Sequence, residues 1–200
     1  MRRTALFALV LLAACGSRPQ AQLRLVGGLE QGTIRRNLGR EELEAEFGSS
    51  RVRSAKVDVG EGETRPGVEL FPDDSLERLT LLWRDSAIAR GVARAILRGS
   101  RSRWRLPHGI TLGTPLTELE RINGRPFTLA GFGWDYSGAV IDWKGGRLAD
   151  ILAYTKVYLS PPSDTLPGYA RVLGDREYWS NNPAMQELKP SHSVWICFSN

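Results

Sequence analysis

Three carboxylates lie close together in a predicted turn: Asp58, Glu61 and Glu63. Carboxylate oxygens are the ligands that Ca²⁺ prefers, and a calcium site needs about six to eight oxygen atoms. The spacing of these three residues matches no calcium-binding loop, and few other ligands are near in sequence. A solvated acidic turn is therefore the simpler interpretation, and we expect no metal site here.

Other chemistry has even less support in the sequence. The two histidines, His108 and His192, belong to no His-x-x-x-His or Cys/His arrangement of the kind that binds zinc. No Gly-x-Ser-x-Gly nucleophile elbow is present. Gly131 and Gly133 form a Gly-x-Gly, but it precedes no predicted helix, unlike a dinucleotide-binding fingerprint. We therefore expect no catalytic residue, no nucleotide and no cofactor.

The N-terminal residues carry the strongest signal in the chain. Arg2 and Arg3 precede an apolar run over residues 5–14, whose last two residues are small, as before the cleavage site of a secretory signal peptide. The sequence Leu12-Ala13-Ala14-Cys15 resembles the lipobox of bacterial lipoproteins. This resemblance implies cleavage before Cys15, a diacylglyceryl thioether on its sulfur, and an acylated new amino terminus.

Two alternatives to a lipoprotein signal are an ordinary secretory signal with a chance cysteine and an uncleaved anchor. The anchor is disfavoured because ten apolar residues span only ~15 Å of helix, whereas a bilayer core needs about 20 residues. Gly16 and Ser17 follow Cys15 without an aspartate, which resembles the default sorting to the outer membrane. We expect a protein held by lipid on the periplasmic side of that membrane.

The net charge is +5, and one segment is strongly basic. Its arginines are Arg90, Arg94, Arg98, Arg101, Arg103 and Arg105. Because the expected compartment contains no nucleic acid, the available polyanions are lipid headgroups, lipopolysaccharide and cell-wall polymers. Arg101, Arg103 and Arg105 are the candidate contacts with such a surface. The alternative is a solvated segment that happens to be basic.

A pattern of a short strand, a helix and a glycine occurs twice, about 76 residues apart, which indicates duplication. In a gapless alignment, Ile34 falls on Ile110, Glu42 on Glu118, Leu43 on Leu119 and Gly48 on Gly124. Acidic residues fill the first turn of each helix, and each glycine follows the last turn, where a left-handed residue commonly ends a helix.

The pattern predicts an α+β fold of two tandem units, each a short helix packed on an antiparallel sheet. The strands form either one continuous sheet or two adjoining sheets. The predicted divisions are a signal peptide (1–14), a lipidated tether (15–22), a first unit (23–85), a basic connector (86–108) and a second unit with a loop and a C-terminal strand (109–200). Residues 86–98 are ambiguous between strand and helix, with an extended segment favoured.

This order of elements is similar to two envelope families. One is the lipoprotein of the outer-membrane β-barrel assembly machinery, and the other is the β-lactamase inhibitory protein family, a tandem of such units. Parts of the chain also look like uncharacterised bacterial lipoproteins. The resemblance covers roughly residues 24–159 and rests mostly on glycines and leucines. It implies helices on one sheet face and an open, protein-binding surface on the other, although fold alone does not transfer function.

Residues 148–159 are predicted to form one long strand whose alternation places Tyr154 and Tyr158 on the face away from the helices. Trp134, Tyr136 and Trp143 are the nearest candidates to extend an aromatic patch, although Trp143 could equally face inward. Tyr, Trp and Arg dominate protein interfaces. The alternative is that these rings pack in the core or against one another.

These patterns favour a lipid-anchored, non-enzymatic protein that binds an envelope protein or a cell-wall component through the open face of the sheet. The alternatives are an envelope hydrolase and an accessory subunit of an outer-membrane assembly complex. The sequence identifies neither the partner nor the oligomeric state.

Overall fold

The computed structural model describes Arg24, residues 33–151 and residues 153–198. Cys15, the predicted signal peptide and the predicted tether lie outside these residues. The α-helices of the described part are α1 (Arg40–Phe47), α2 (Leu116–Asn123), α3 (Leu148–Ile151) and α4 (Pro183–Glu187). None of the helices among the described residues has the length and apolar character needed to cross a membrane.

The strands form two antiparallel sheets. They are β1 (Val52–Gly60), β2 (Glu63–Leu70), β3 (Leu79–Asp85), β4 (Arg90–Arg98), β5 (Thr128–Ala130), β6 (Val140–Asp142), β7 (Thr155–Ser160), β8 (Glu177–Trp179) and β9 (Ser191–Phe198). The large sheet has the order β1-β2-β3-β4-β9-β7, and the small sheet has the order β6-β5-β8. The predicted α+β class is therefore confirmed.

The two helices of the predicted repeat occupy the same positions of its alignment. Leu43 in α1 and Leu119 in α2 are both buried in the main core. Gly124 ends α2 in the left-handed conformation, with φ 81° and ψ 1°. Gly48 ends α1 with φ 91° and ψ 140°, which is not the left-handed helical conformation of Gly124, and a 3-10 turn over Ser49–Arg51 then leads into β1.

The strands that follow these helices do not repeat. After α1, strands β1 to β4 are consecutive neighbours in the large sheet. After α2, the hairpin β5–β6 pairs with β8 in the small sheet, while β7 and β9 join the large one. The duplication predicts that residues 32–84 and 109–159 superpose as one helix-plus-sheet unit, and this prediction is wrong because their strands are arranged differently. The predicted basic connector (residues 86–108) contains β4, which pairs with β3 and β9 inside the large sheet. Residues 90–98, which were ambiguous between helix and strand, are therefore a strand.

The prediction of one long strand over residues 148–159 is also wrong in its first part. Residues 148–151 form α3, and the strand begins only at Thr155. The Leu148 N–H donates to Oδ1 of the buried Asn123 at 3.1 Å, and this bond fixes the chain in a turn. A contact across so many residues is not visible in local alternation.

One hydrophobic core lies between the inner face of the large sheet, the helices and the small sheet. The outer face has a second, smaller core of Val57, Leu82 and Ile96. Residues 58–60 of β1 line one concavity with Ile96 of β4, although β2 and β3 separate these strands in the sheet. The far half of the β1–β2 hairpin therefore bends over the outer face. Pairing of β2 with β3 accordingly starts only at Gly67.

Gly67 makes that bend sterically allowed. A Cβ atom at this position would lie 2.1 Å from the Leu81 carbonyl oxygen and 2.5 Å from Cγ2 of Val57. No side chain fits in that space, so the hairpin can approach β3 this closely only with glycine. The outer face, which was expected to be open, is therefore partly roofed by the hairpin.

Candidate functional site

The bent hairpin and the outer face of the large sheet enclose a groove of about 390 Å³, which we call the outer groove. Its floor is apolar and consists of Ile96 from β4 and Val194 and Ile196 from β9. Ile96 pairs directly with Ile196 in the strand register, so these side chains form one continuous surface. The floor thus consists of side chains on rigid, central strands.

Charged and aromatic residues surround this floor. Arg94 and Arg98 flank Ile96 on β4, while Asp58 comes from the hairpin and Asp135 from the loop before β6. Tyr158 of β7 completes the wall, and the register places it beside Val194, which in turn pairs with Arg98. The groove therefore offers an apolar strip with cations, carboxylates and one phenol within reach of the same ligand.

The structure separates the aromatic residues that the sequence grouped together. Trp134 and Tyr136 are each 65% exposed, but they lie in a loop and not on a strand. Tyr154 is 46% exposed in the turn before β7, and Tyr158 is half-buried on β7. Trp143 is only 8% exposed and packs against Phe127 with ring centroids 4.6 Å apart. Its assignment to a binding face is wrong.

Tyr136 and Tyr158 are brought together, however, at an apolar cleft of about 350 Å³. Val140 and Ile141 of β6 and Val157 of β7 provide most of its remaining apolar wall. Tyr158 therefore lies between two concavities, the cleft and the outer groove. Of the five aromatic candidates, it is the one that lines the outer groove.

The three predicted anionic-surface contacts differ from one another. Arg101, Arg103 and Arg105 are all exposed. Nη1 of Arg103 lies 2.7 Å from Glu77 and 3.4 Å from Asp74, and the hydrogen bond with Glu77 is the main cause of the raised pKa of Arg103. Because two carboxylates already balance its charge, Arg103 contributes little to attraction of an anion.

Among the described residues, no group of three His, Cys, Asp or Glu side chains is placed to hold a metal ion. Asp58 uses Oδ1 to accept the Gly60 N–H at 2.8 Å, as in an ordinary Asx turn, and Glu61 and Glu63 are exposed. His108 is exposed, whereas His192 is fully buried between backbone carbonyls. Neither histidine lines the outer groove.

Arg94, Arg98 and Ile96 line the groove, but the sequence does not identify them as site residues. Their signal was the alternation of arginine with apolar residues along β4, which is typical of a strand with one solvated face. What the alternation does not reveal is the hairpin that turns this solvated face into a groove.

No protein-family model matches this chain, and comparisons with curated proteins and with solved structures give no significant match either. The function must therefore be argued from the groove and the sequence.

Proposed function

We propose that this chain is a lipid-anchored protein on the periplasmic side of the outer membrane, which binds an envelope protein or a cell-wall component without catalysing a reaction. The observation that carries the binding role is the outer groove. It combines a rigid apolar floor with arginines and a tyrosine, the residue types that contribute most at interfaces. The anchoring role rests on Cys15 and the residues before it.

The charges of the groove favour a ligand that carries both signs. The exposed Arg98 attracts a carboxylate, whereas Asp58 and Asp135 attract amines. An extended peptide segment has this mixed character, both in proteins and in the peptides of a cell wall. Electrostatic complementarity of this kind selects a partner and its orientation, while the buried apolar floor supplies most of the affinity.

Two of the three candidate tyrosines, Tyr158 and Tyr154, provide a matched test of the groove. We expect Tyr158→Ala to weaken capture of the partner from detergent-solubilised envelopes by about 1–3 kcal/mol, because Tyr158 lines the groove. Tyr154→Ala should have no effect, because Tyr154 lies in a turn that is not part of the groove wall. Quantitative pull-downs and thermal melts of the same variants measure both effects.

Arg98→Glu provides a second variant in case Tyr158→Ala unfolds the protein, because Arg98 is exposed. Its matched control is Arg35→Glu, which reverses an exposed charge outside the groove. Equal capture by wild type and by both groove variants would remove the proposed function of this face.

Anchoring is tested separately by Cys15→Ser. We expect the wild-type protein to fractionate with outer membranes until detergent is added, and the variant to lose this association. Recovery of the wild-type protein as a detergent-independent soluble protein would contradict the anchor but leave the groove prediction standing.

A further inference from the structure

A third concavity lies where the end of α2 meets the small sheet, and we call it the indole trough. Its lining residues are Gly124, Arg125, Pro126, Lys144, Trp179 and Asn181. Its volume is about 620 Å³, within the range of ~300–1,000 Å³ that ligand sites usually have. It shares no lining residue with the outer groove, so the two concavities are separate sites.

Trp179 provides a flat apolar platform in this trough. It is 50% exposed although it lies on β8, which is an edge strand of the small sheet. Nζ of Lys144 lies 5.5 Å from the centroid of its ring. A large aromatic ring that stays this exposed on a rigid strand is the kind of residue that proteins use for binding.

The charges of the trough leave one cation unbalanced. Lys144 lies 3.1 Å from Asp142 and 3.5 Å from Glu177, and the hydrogen bond with Asp142 is the main cause of its raised pKa. Arg125, by contrast, is exposed and has no carboxylate partner among the described residues. Its Nη1 donates to the Lys144 carbonyl at 3.1 Å, which holds the guanidinium at the trough.

Buried hydrogen bonds fix both sides of the trough. Nδ2 of Asn123 donates to the carbonyls of Arg125 at 2.9 Å and Trp143 at 3.0 Å, so the turn that carries Arg125 is tied to the strand end beside Lys144. On the other side, Oγ of the buried Ser180 accepts the Phe127 N–H at 3.0 Å, next to Trp179. A ligand would therefore meet a surface that needs little ordering on binding.

We propose that the indole trough binds a carboxylated glycan. A sugar ring has one apolar C–H face and a rim of hydroxyl groups, which matches a flat indole surrounded by polar side chains. In this arrangement the ring packs on Trp179, hydroxyl groups bond to the amide of Asn181, and the carboxylate binds the guanidinium of Arg125 through paired hydrogen bonds. An apolar peptide side chain, in contrast, requires a more enclosed pocket than this shallow trough.

Calorimetric titration of the full-length protein in detergent tests the proposal, with an oligomer of galacturonic acid as the probe. We expect the methyl ester of the same oligomer, which lacks the charge, to bind about tenfold more weakly or worse. Arg125→Gln should bind the acid and the ester equally weakly, and Trp179→Ala should bind neither. Ile88→Ala and Arg35→Gln are matched controls, because both side chains are exposed and lie outside the trough, and both variants should bind the acid like wild type.

Thermal melts establish whether the variants are folded. If Trp179→Ala is unfolded, binding by Arg125→Gln alone tests the proposal. Absence of binding by wild type, or unchanged binding by Arg125→Gln, would overturn the proposal. Equal binding of poly-glutamate through the same residues would also overturn it, in favour of an acidic peptide. Trp179→Ala should still show the capture that depends on Tyr158, which separates failure of this site from failure of the outer groove.

Discussion

The ends of α1 and α2 are equivalent in the repeat, but they connect to the following chain in different ways. The last residue of α1 is Phe47, whose ring packs edge-on against Phe71 with centroids 5.3 Å apart. The last residue of α2 is Asn123, which is 1% exposed and bonds to three backbone groups. An apolar contact holds one end, and a buried polar network holds the other.

This difference accounts for much of what distinguishes the two halves. Packing of Phe47 is compatible with a simple meander, since it constrains only the β2–β3 turn. The amide of Asn123 instead joins the turn after α2, the end of β6 and the start of α3, so the chain after β6 turns and does not continue as a strand. The same turn positions Arg125 in the indole trough.

The starts of the two helices differ as well. The Arg40 N–H donates to the Ala89 carbonyl at 3.1 Å, so α1 begins on the β3–β4 turn of its own half. The Leu116 N–H donates to the Pro190 carbonyl at 2.9 Å, and the His192 N–H donates to the Thr114 carbonyl at 2.9 Å. The second helix is therefore docked on the C-terminal strand β9, beside a buried histidine.

The largest expected effect comes from removal of the polar network. We expect Asn123→Ala to lower the free energy of unfolding by about 4 kcal/mol, because it leaves three backbone groups without their partner. Phe47→Ala should cost only about 1–2 kcal/mol, because the ring is just partly buried and the site can relax. Urea unfolding of both variants measures the difference.

Asn37→Ala is the matched control, because Asn37 is exposed before α1. It should change the stability by less than about 0.5 kcal/mol. If Asn123→Ala costs no more than Phe47→Ala, the network is not what distinguishes the two helix ends.

The same comparison explains which parts of the fold were predictable from sequence. Both helices and the β1–β2 hairpin have local signals, namely apolar spacing, acidic first turns and terminal glycines. Trp143 and the start of α3 depend on Asn123, which lies 20 and 25 residues before them. No local sequence pattern indicates such a contact, so the alternation of β7 predicts a strand that begins too early, at residue 148.

The candidate site was predictable only in part for a similar reason. Tyr158 and the basic character of β4 follow from sequence, because alternation along a strand assigns side chains to faces. The roof of the outer groove depends on the close contact of Gly67 with the Leu81 carbonyl, which a single glycine in a strand does not predict. Trp179 lies in a stretch rich in Pro, Asn and Gly, where no periodicity indicated its exposure.

The smaller expected effect concerns acid stability of the second helix start. His192 is fully buried, and burial lowers its pKa from 6.5 to about 4. Nδ1 lies 3.1 Å from the Thr111 carbonyl and Nε2 lies 3.2 Å from the Val194 carbonyl, contacts that favour the charged ring but do not outweigh burial. A neutral ring has one N–H and can donate to only one of these two carbonyls.

Because the folded-state pKa of His192 is below the unfolded value, the unfolded chain binds more protons between these values. The stabilisation is complete above pH 6.5 and is lost as the pH falls towards about 4, and below that it changes no further. The total loss is on the order of 3 kcal/mol.

Urea unfolding at pH 7, 5.5 and 4.5 measures this dependence. We expect His192→Gln to be less stable than wild type at neutral pH, but its stability should not fall with pH as that of wild type does. His108→Gln should retain the slope, because His108 is exposed and makes no such buried contact. Glu118 and Asp142, whose pKa values are lowered by partners, lose their stabilisation only below their ordinary values near 4.5 and 3.8, so the upper part of the window reports on His192. A wild-type stability that stays constant from pH 6.5 to 4.5 would show that the imidazole is not held neutral in the fold, and that the two helix starts respond to acid alike.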